Sequence, residues 1–168
     1  MKLDSAQIGA DGSFTLKGIE KDRGSFFTVN IADRQKFPLL VEGGETFQVA
    51  ADGTPRDEKG NGGKVSVTGS KNMEYYAKVD QLMQAFSAKV TTWNEQYAAA
   101  EEKKDSKKIA EIQQAYQAAE KERVTALRQL IPEMGTSLIA LFSANNFLTP
   151  ENDLDILKKL ADDYSKVD

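Results

Sequence analysis

The spacing of apolar residues changes period once along this chain, near residue 70. That change confines the fold to a sheet unit followed by a helical unit. Upstream, Phe14 and Leu16 alternate with Ser13, Thr15 and Lys17, and Phe27, Val29 and Ile31 alternate with Thr28 and Asn30. Phe47 and Val49 alternate with Thr46 and Gln48, and Val65 and Val67 with Ser66 and Thr68. A period of two in aromatic and β-branched residues gives each strand one buried and one wet face. Asp11-Gly12, Arg23-Gly24, Gly43-Gly44 and the glycine-rich run 60–63 punctuate these strands, because tight turns need residues that tolerate positive φ. Leu39-Leu40-Val41 and Phe47-Gln48-Val49, separated by Glu42-Gly43-Gly44-Glu45, read as a hairpin. Roughly five or six short antiparallel strands predict a small β-sandwich or open barrel over residues 1–70.

Downstream the step becomes three and four. Met73, Tyr76, Val79, Leu82, Met83, Phe86, Val90, Trp93 and Tyr97 form one apolar stripe, which predicts a helix over about 73–100. The charged run 101–108 breaks it. Ile109, Ile112, Tyr116, Ala119, Val124, Leu127, Leu130 and Ile131 form a second stripe that ends near Pro132. A short break between two long amphipathic helices predicts an antiparallel hairpin over about 73–131. Shorter helices are expected at about 137–145 and 150–164, the last capped by Thr149 with Pro150 at its first position. The expected fold is therefore α+β: a small antiparallel sandwich or open barrel over 1–70, then a helical unit over 71–168 made of a long antiparallel hairpin and two shorter helices.

Composition narrows the chemistry. The 168 residues contain no cysteine and no histidine. Disulfides, thiolate nucleophiles, Cys or His metal sites and Ser-His-Asp catalysis are all excluded. A net charge of -4 gives no basic face for nucleic acid. No stretch reaches the roughly 20 apolar residues of a membrane-spanning helix, and Met1–Ser5 opens no apolar signal core. The reading is of a non-catalytic chain with no cofactor, no metal and no membrane span.

Four segments carry a family resemblance. They are DGSFTLKG (Asp11–Gly18), LLVEGGETFQVAAD (Leu39–Asp52), VTGSKNMEYY (Val67–Tyr76) and MGTSLIALF (Met134–Phe142). In this order they resemble the domain of unknown function that precedes the thioredoxin-like domain in Bacteroidetes periplasmic thiol–disulfide oxidoreductases, many of them lipoproteins. The family often has Asn-Pro where this chain has Met134-Gly135. The resemblance implies a first strand upstream of Leu3 that this chain lacks, a C-x-x-C domain following Asp168, and a periplasmic or cell-envelope location. It implies an accessory role: positioning the redox domain or recruiting its client protein. The alternative is a free-standing envelope module that binds a glycan or peptide.

Candidate sites each have a plainer reading. Ser70, Lys71 and Asn72 stand where sheet becomes helix. Helix N-terminal N–H groups with Lys71 form a possible anion site, while a helix cap by Ser70 or Asn72, with Gly69 permitting the turn, explains the same residues. The 60–63 run lacks the following helix of a phosphate loop. Asp52, Asp57, Glu58 and Asn61 lack calcium-loop spacing. The pairs Glu101-Glu102 and Asp162-Asp163 read as solvated helix ends rather than acid–base catalysts. Among Tyr75, Tyr76, Phe86, Trp93, Tyr97 and Tyr116, helical spacing favours ordinary core. Trp93 and Tyr97 lie far from the sheet and are expected to be the most exposed. Trp93, Tyr97 and Tyr116 are thus the candidate interaction surface, and homodimerisation through the hairpin is a further option.

Overall fold

A computed structural model describes residues 3–17, 24–55 and 62–167. Its elements are β1 (Ser25–Ile31), β2 (Gln35–Val41), β3 (Gln48–Ala51), β4 (Val65–Thr68), α1 (Lys71–Glu102), α2 (Ser106–Glu133), α3 (Leu138–Phe147) and α4 (Pro150–Tyr164). The chain is mixed α+β, as the change of period predicts. The described strands form two separate two-stranded antiparallel sheets, β1–β2 and β3–β4, and no closed barrel.

Two strand expectations are corrected. The Phe14–Leu16 alternation forms no strand. Its surroundings bond locally: Asp11 Oδ1 accepts from Ser13 N at 3.0 Å, Gly9 N donates to Ser13 O at 2.8 Å, and Lys17 N donates to Asp4 Oδ2 at 2.8 Å. Alternation supplies a face, but a strand also needs a neighbour with a free hydrogen-bonding edge. The predicted pairing of Leu39–Val41 with Phe47–Val49 is also absent. β2 pairs with β1, with Phe27 opposite Leu39 and Val29 opposite Phe37, while β3 pairs with β4, with Val49 opposite Val67. The Glu45 carboxylate accepts from Glu42 N at 2.8 Å and Gly43 N at 2.6 Å, so the glycine turn sends the chain out of the first sheet. The true hairpin turn is Ala32-Asp33-Arg34. Ala32 and Asp33 sit at φ +51° and +57°, and Asn30 Nδ2 donates to Asp33 Oδ1 at 2.6 Å. Two consecutive left-handed residues match the twist of paired strands, and this turn manages it without glycine.

The two sheets are tied through Gln35, only 4% exposed. Its side chain accepts from Gly53 N at 2.7 Å and donates to Lys64 O at 3.5 Å. The far edge of β2 meets α1, where Leu40 N points at Met73 Sδ, 3.3 Å away. Leu40 is fully buried and shares one cluster with Met73, Val79, Leu127, Ile131 and Ile139, joined by Ala144 of α3, Leu148 just after it and Leu160 of α4. Phe47 and Val67 pack on that cluster from the sheet side. One core therefore spans sheet and helices.

The helical boundaries shift slightly from expectation. The charged break shrinks to Lys103-Lys104-Asp105, because Asp105 caps α2 by accepting from Lys108 N at 3.0 Å. Lys104 takes the left-handed conformation at φ +54°. Pro132 lies inside the last turn of α2 rather than ending it. Contacts between the helices pair low numbers with high: Tyr75 with Glu133, Met83 with Arg123, Lys89 with Glu122, Trp93 with Tyr116. The helices thus lie side by side with opposite chain directions. Past the core, this pair extends as an arm.

Gly69 joins sheet to helix. Its φ is +93°, and a Cβ there would sit 2.1 Å from the Thr46 carbonyl oxygen. Strain and collision act together. Gly69→Ala is expected to cost more than about 3 kcal/mol in a denaturant titration; a loss below about 1 kcal/mol would show that the Thr46 backbone ahead of β3 moves aside freely.

Candidate functional site

The residues singled out at the sheet-to-helix junction are structural in their contacts. Ser70 precedes α1 in extended conformation and makes no side-chain cap; its Oγ is buried without a hydrogen-bond partner. Lys71 is exposed. Asn72 is 3% exposed, and its Oδ1 accepts from Ile139 N at 2.9 Å. The capping expected of Ser70 or Asn72 therefore occurs in a different helix: Asn72 satisfies the first turn of α3.

That first turn collects more. Leu138 N donates to Glu42 Oε1 at 2.6 Å, and Ser137 Oγ accepts from Ala140 N at 3.4 Å. Two N–H groups with no backbone partner are thus met by the β2–β3 turn and by α1, and the third, Ala140 N, is shared between the carbonyl (3.0 Å) and hydroxyl of the cap residue. The Tyr164 hydroxyl donates to Ser137 O, fastening the end of α4 to the same point. Burial, with the negative charge of Glu42, pushes the Tyr164 phenol up to about 12. At the opposite end of α4, Arg128 holds Asp153, whose side chain is 3% exposed and whose Oδ2 also accepts from Thr149 N at 2.9 Å. Thr149 makes no side-chain cap of its own helix. The hydrogen bond from Arg128 lowers the Asp153 pKa below 3.8 against the cost of burial.

The aromatic candidates separate. Tyr75 donates to Glu133 O at 2.8 Å, and Tyr76 packs on the core. Phe86, Trp93 and Tyr116 gather on the arm, with centroids 5.6 Å apart for Phe86–Tyr116 and 6.1 Å for Trp93–Tyr116. Arg123 lies 4.9 Å above Phe86 and is held by Glu120 at 2.6 Å. Trp93 and Tyr97 are half-buried, contrary to the expectation that they stand most exposed; Tyr116 is the open ring at 42%. Tyr97, one turn beyond Trp93, bonds Glu101, which raises its pKa. Two of the three candidate surface residues, Trp93 and Tyr116, are thus in ring contact.

A second apolar surface escaped sequence reasoning. Phe26, 45% exposed on β1, lies 5.2 Å from the ring of Phe142, beside Leu141 at 48%. The signal was present in Phe26-Phe27: adjacent strand residues face opposite ways, so one of two consecutive phenylalanines must point outward.

The remaining candidates lie apart. Asp57, Glu58, Gly60 and Asn61 fall outside the described residues. Asp52 closes the base of its loop, accepting from Thr54 N at 2.9 Å and Lys64 N at 2.8 Å. Glu101 and Glu102 are exposed, and Asp163 is paired with Lys159 at 2.5 Å. Among the described residues, no three Asp or Glu side chains gather to hold a metal ion, and no helix is long and apolar enough to cross a membrane. No protein-family model matches the chain, and neither a curated protein nor a solved structure is detectably similar to it.

Asn72→Ala strips the Ile139 N–H of its partner and is expected to cost about 1–3 kcal/mol in chemical denaturation. Asp153 has a lowered folded pKa, so its contribution is full above the unfolded pKa and is lost as pH falls through the folded value. Denaturation midpoints taken from about pH 6 down to about pH 2 should fall less steeply for Asp153→Asn than for the parent; parallel slopes would count against the pair.

Proposed function

We propose that this chain is a non-catalytic accessory domain of an envelope thioredoxin-like thiol–disulfide oxidoreductase, positioning the redox domain or recruiting its client. The carrying observation is the coincidence of four family-like segments with a sequence that has neither cysteine nor histidine. Such side chains build a framework and contact surfaces but no thiolate or proton shuttle. On this reading the parent is a periplasmic protein, in many cases a lipoprotein. On the same reading the two sheets belong to one small sandwich or open barrel, and α1 and α2 form a helical hairpin beside it.

Geometry supports a positioning role. α4 ends where Tyr164 meets the cap of α3, and α3 carries Leu141 and Phe142 beside Phe26. A domain continuing the chain from α4 starts near this exposed apolar patch, which suits a contact between domains.

A second reading is favoured by the partly open rings of Trp93 and Tyr116: a free-standing module that binds a glycan or peptide through the arm. The two readings diverge in the coding sequence after Asp168. Continuation into a C-x-x-C domain is expected, and a stop there overturns the accessory role. The chain alone should also give no disulfide reduction above the uncatalysed rate in a dithiol-coupled assay; clear turnover would refute its non-catalytic character.

A further inference from the structure

We propose that the groove along the α1–α2 arm seats a second copy of this chain, with α1 of each protomer against α2 of the other. This inference is independent of the accessory role. Two hollows of about 490 and 360 Å³ lie along the arm. Their lining positions step through 78, 82, 85, 89 and 93 on α1 and through 133, 130, 126, 122 and 119 on α2. Steps of three and four keep to one helix face, so the hollows form one groove roughly 22 Å long. Leu82, Leu130 and Trp93 give it apolar walls, and Ala85, Ala119 and Ala126 keep it shallow enough for a helix to approach.

Charge selects the occupant. The charged residues that α1 contributes to the groove are Lys78 and Lys89, and those from α2 are Glu122 and Glu133. They stand at matching levels: Lys89 Nζ lies 4.0 Å from Glu122 Oε2, and Lys78 and Glu133 line the same hollow. A twofold axis along the helices places each lysine over a glutamate of the partner at its own level. A twofold axis across the helices places lysine over lysine. The first arrangement also sets every helix between two neighbours of opposite direction, the packing of an up-down four-helix bundle.

The principal packing partners of α1 are α2, α3, β2 and β4, and those of α2 are α1, α3 and α4; α3, β2 and β4 meet α1 at the core, leaving the groove face of the arm open.

Analytical ultracentrifugation of the parent chain should report about 37 kDa, twice its 18.5 kDa. Lys78→Glu/Lys89→Glu and Glu122→Lys/Glu133→Lys, each tested alone, bring like charges together and should self-associate at least about tenfold more weakly. Mixed in equal amounts, they should restore the dimer, because acidic α1 then meets basic α2 and the reverse. Their intramolecular charge clashes persist in the mixture, so folding defects cannot produce that rescue. A monomeric parent, a variant that stays dimeric alone, or a mixture that stays monomeric would overturn the proposal.

Discussion

The first turn of α3 is the point on which the rest of the structure depends. A helix start leaves N–H groups without partners, and a buried one left unmet costs about 1–3 kcal/mol. Here Glu42, Asn72 and Ser137 meet three consecutive N–H groups, and they come from the turn after β2, the start of α1 and the cap itself. Tyr164 adds α4 by bonding the carbonyl of the same cap. These bonds draw sheet and helices to one point, alongside the core that Leu40 shares with Met73 and Ile139. Ile139 and Ala140, fully buried in the same turn, place these bonds at the edge of the hydrophobic core.

Around that point the chain divides its burial unevenly. The base of the helices shares its core with β2, α3 and α4, and there Leu127 and Ile131 are almost wholly enclosed. Farther along the arm, burial falls to Ala100, Ile112 and Ala119, while Phe86, Trp93 and Tyr116 lean on one another. Two helices alone cannot enclose an apolar stripe wider than their own seam. The arm therefore has ordinary helical chemistry with an incomplete set of neighbours. Binding through rings or pairing with another copy would both act on that incompleteness.

How far the residues announced this depends on the range of each interaction. The stripe from Met73 to Tyr97 names α1 because every signal lies within a few turns of the same helix. Asp105 carries an equally local signal for the start of α2, through Lys108 N, but within the charged run 101–108 it reads as part of the break. Asn72 is different. Its spacing suggests a cap of its own helix, but its partner lies 67 residues away. Glu42 and Leu138 are farther apart still, at 96 residues. The hairpin expected at Gly43-Gly44 failed for a related reason. Glu45 closes that turn tightly, yet which strand pairs with which is settled by Ala32-Asp33, a left-handed turn that carries no glycine to mark it.

Sequence by itself determined the α+β order, the place where sheet gives way to helix, four helices close to their limits, and the lack of cysteine and histidine chemistry. These rest on periodicity and composition, which act over a few residues or over none. Only tertiary structure decided the strand partners, the assembly at the α3 cap, the outward turn of Phe26 beside Phe142, and the meeting of lysines from α1 with glutamates from α2 along the arm. Those depend on residues far apart in the chain meeting in space, and no local spacing encodes a meeting that the packing of the whole core brings about.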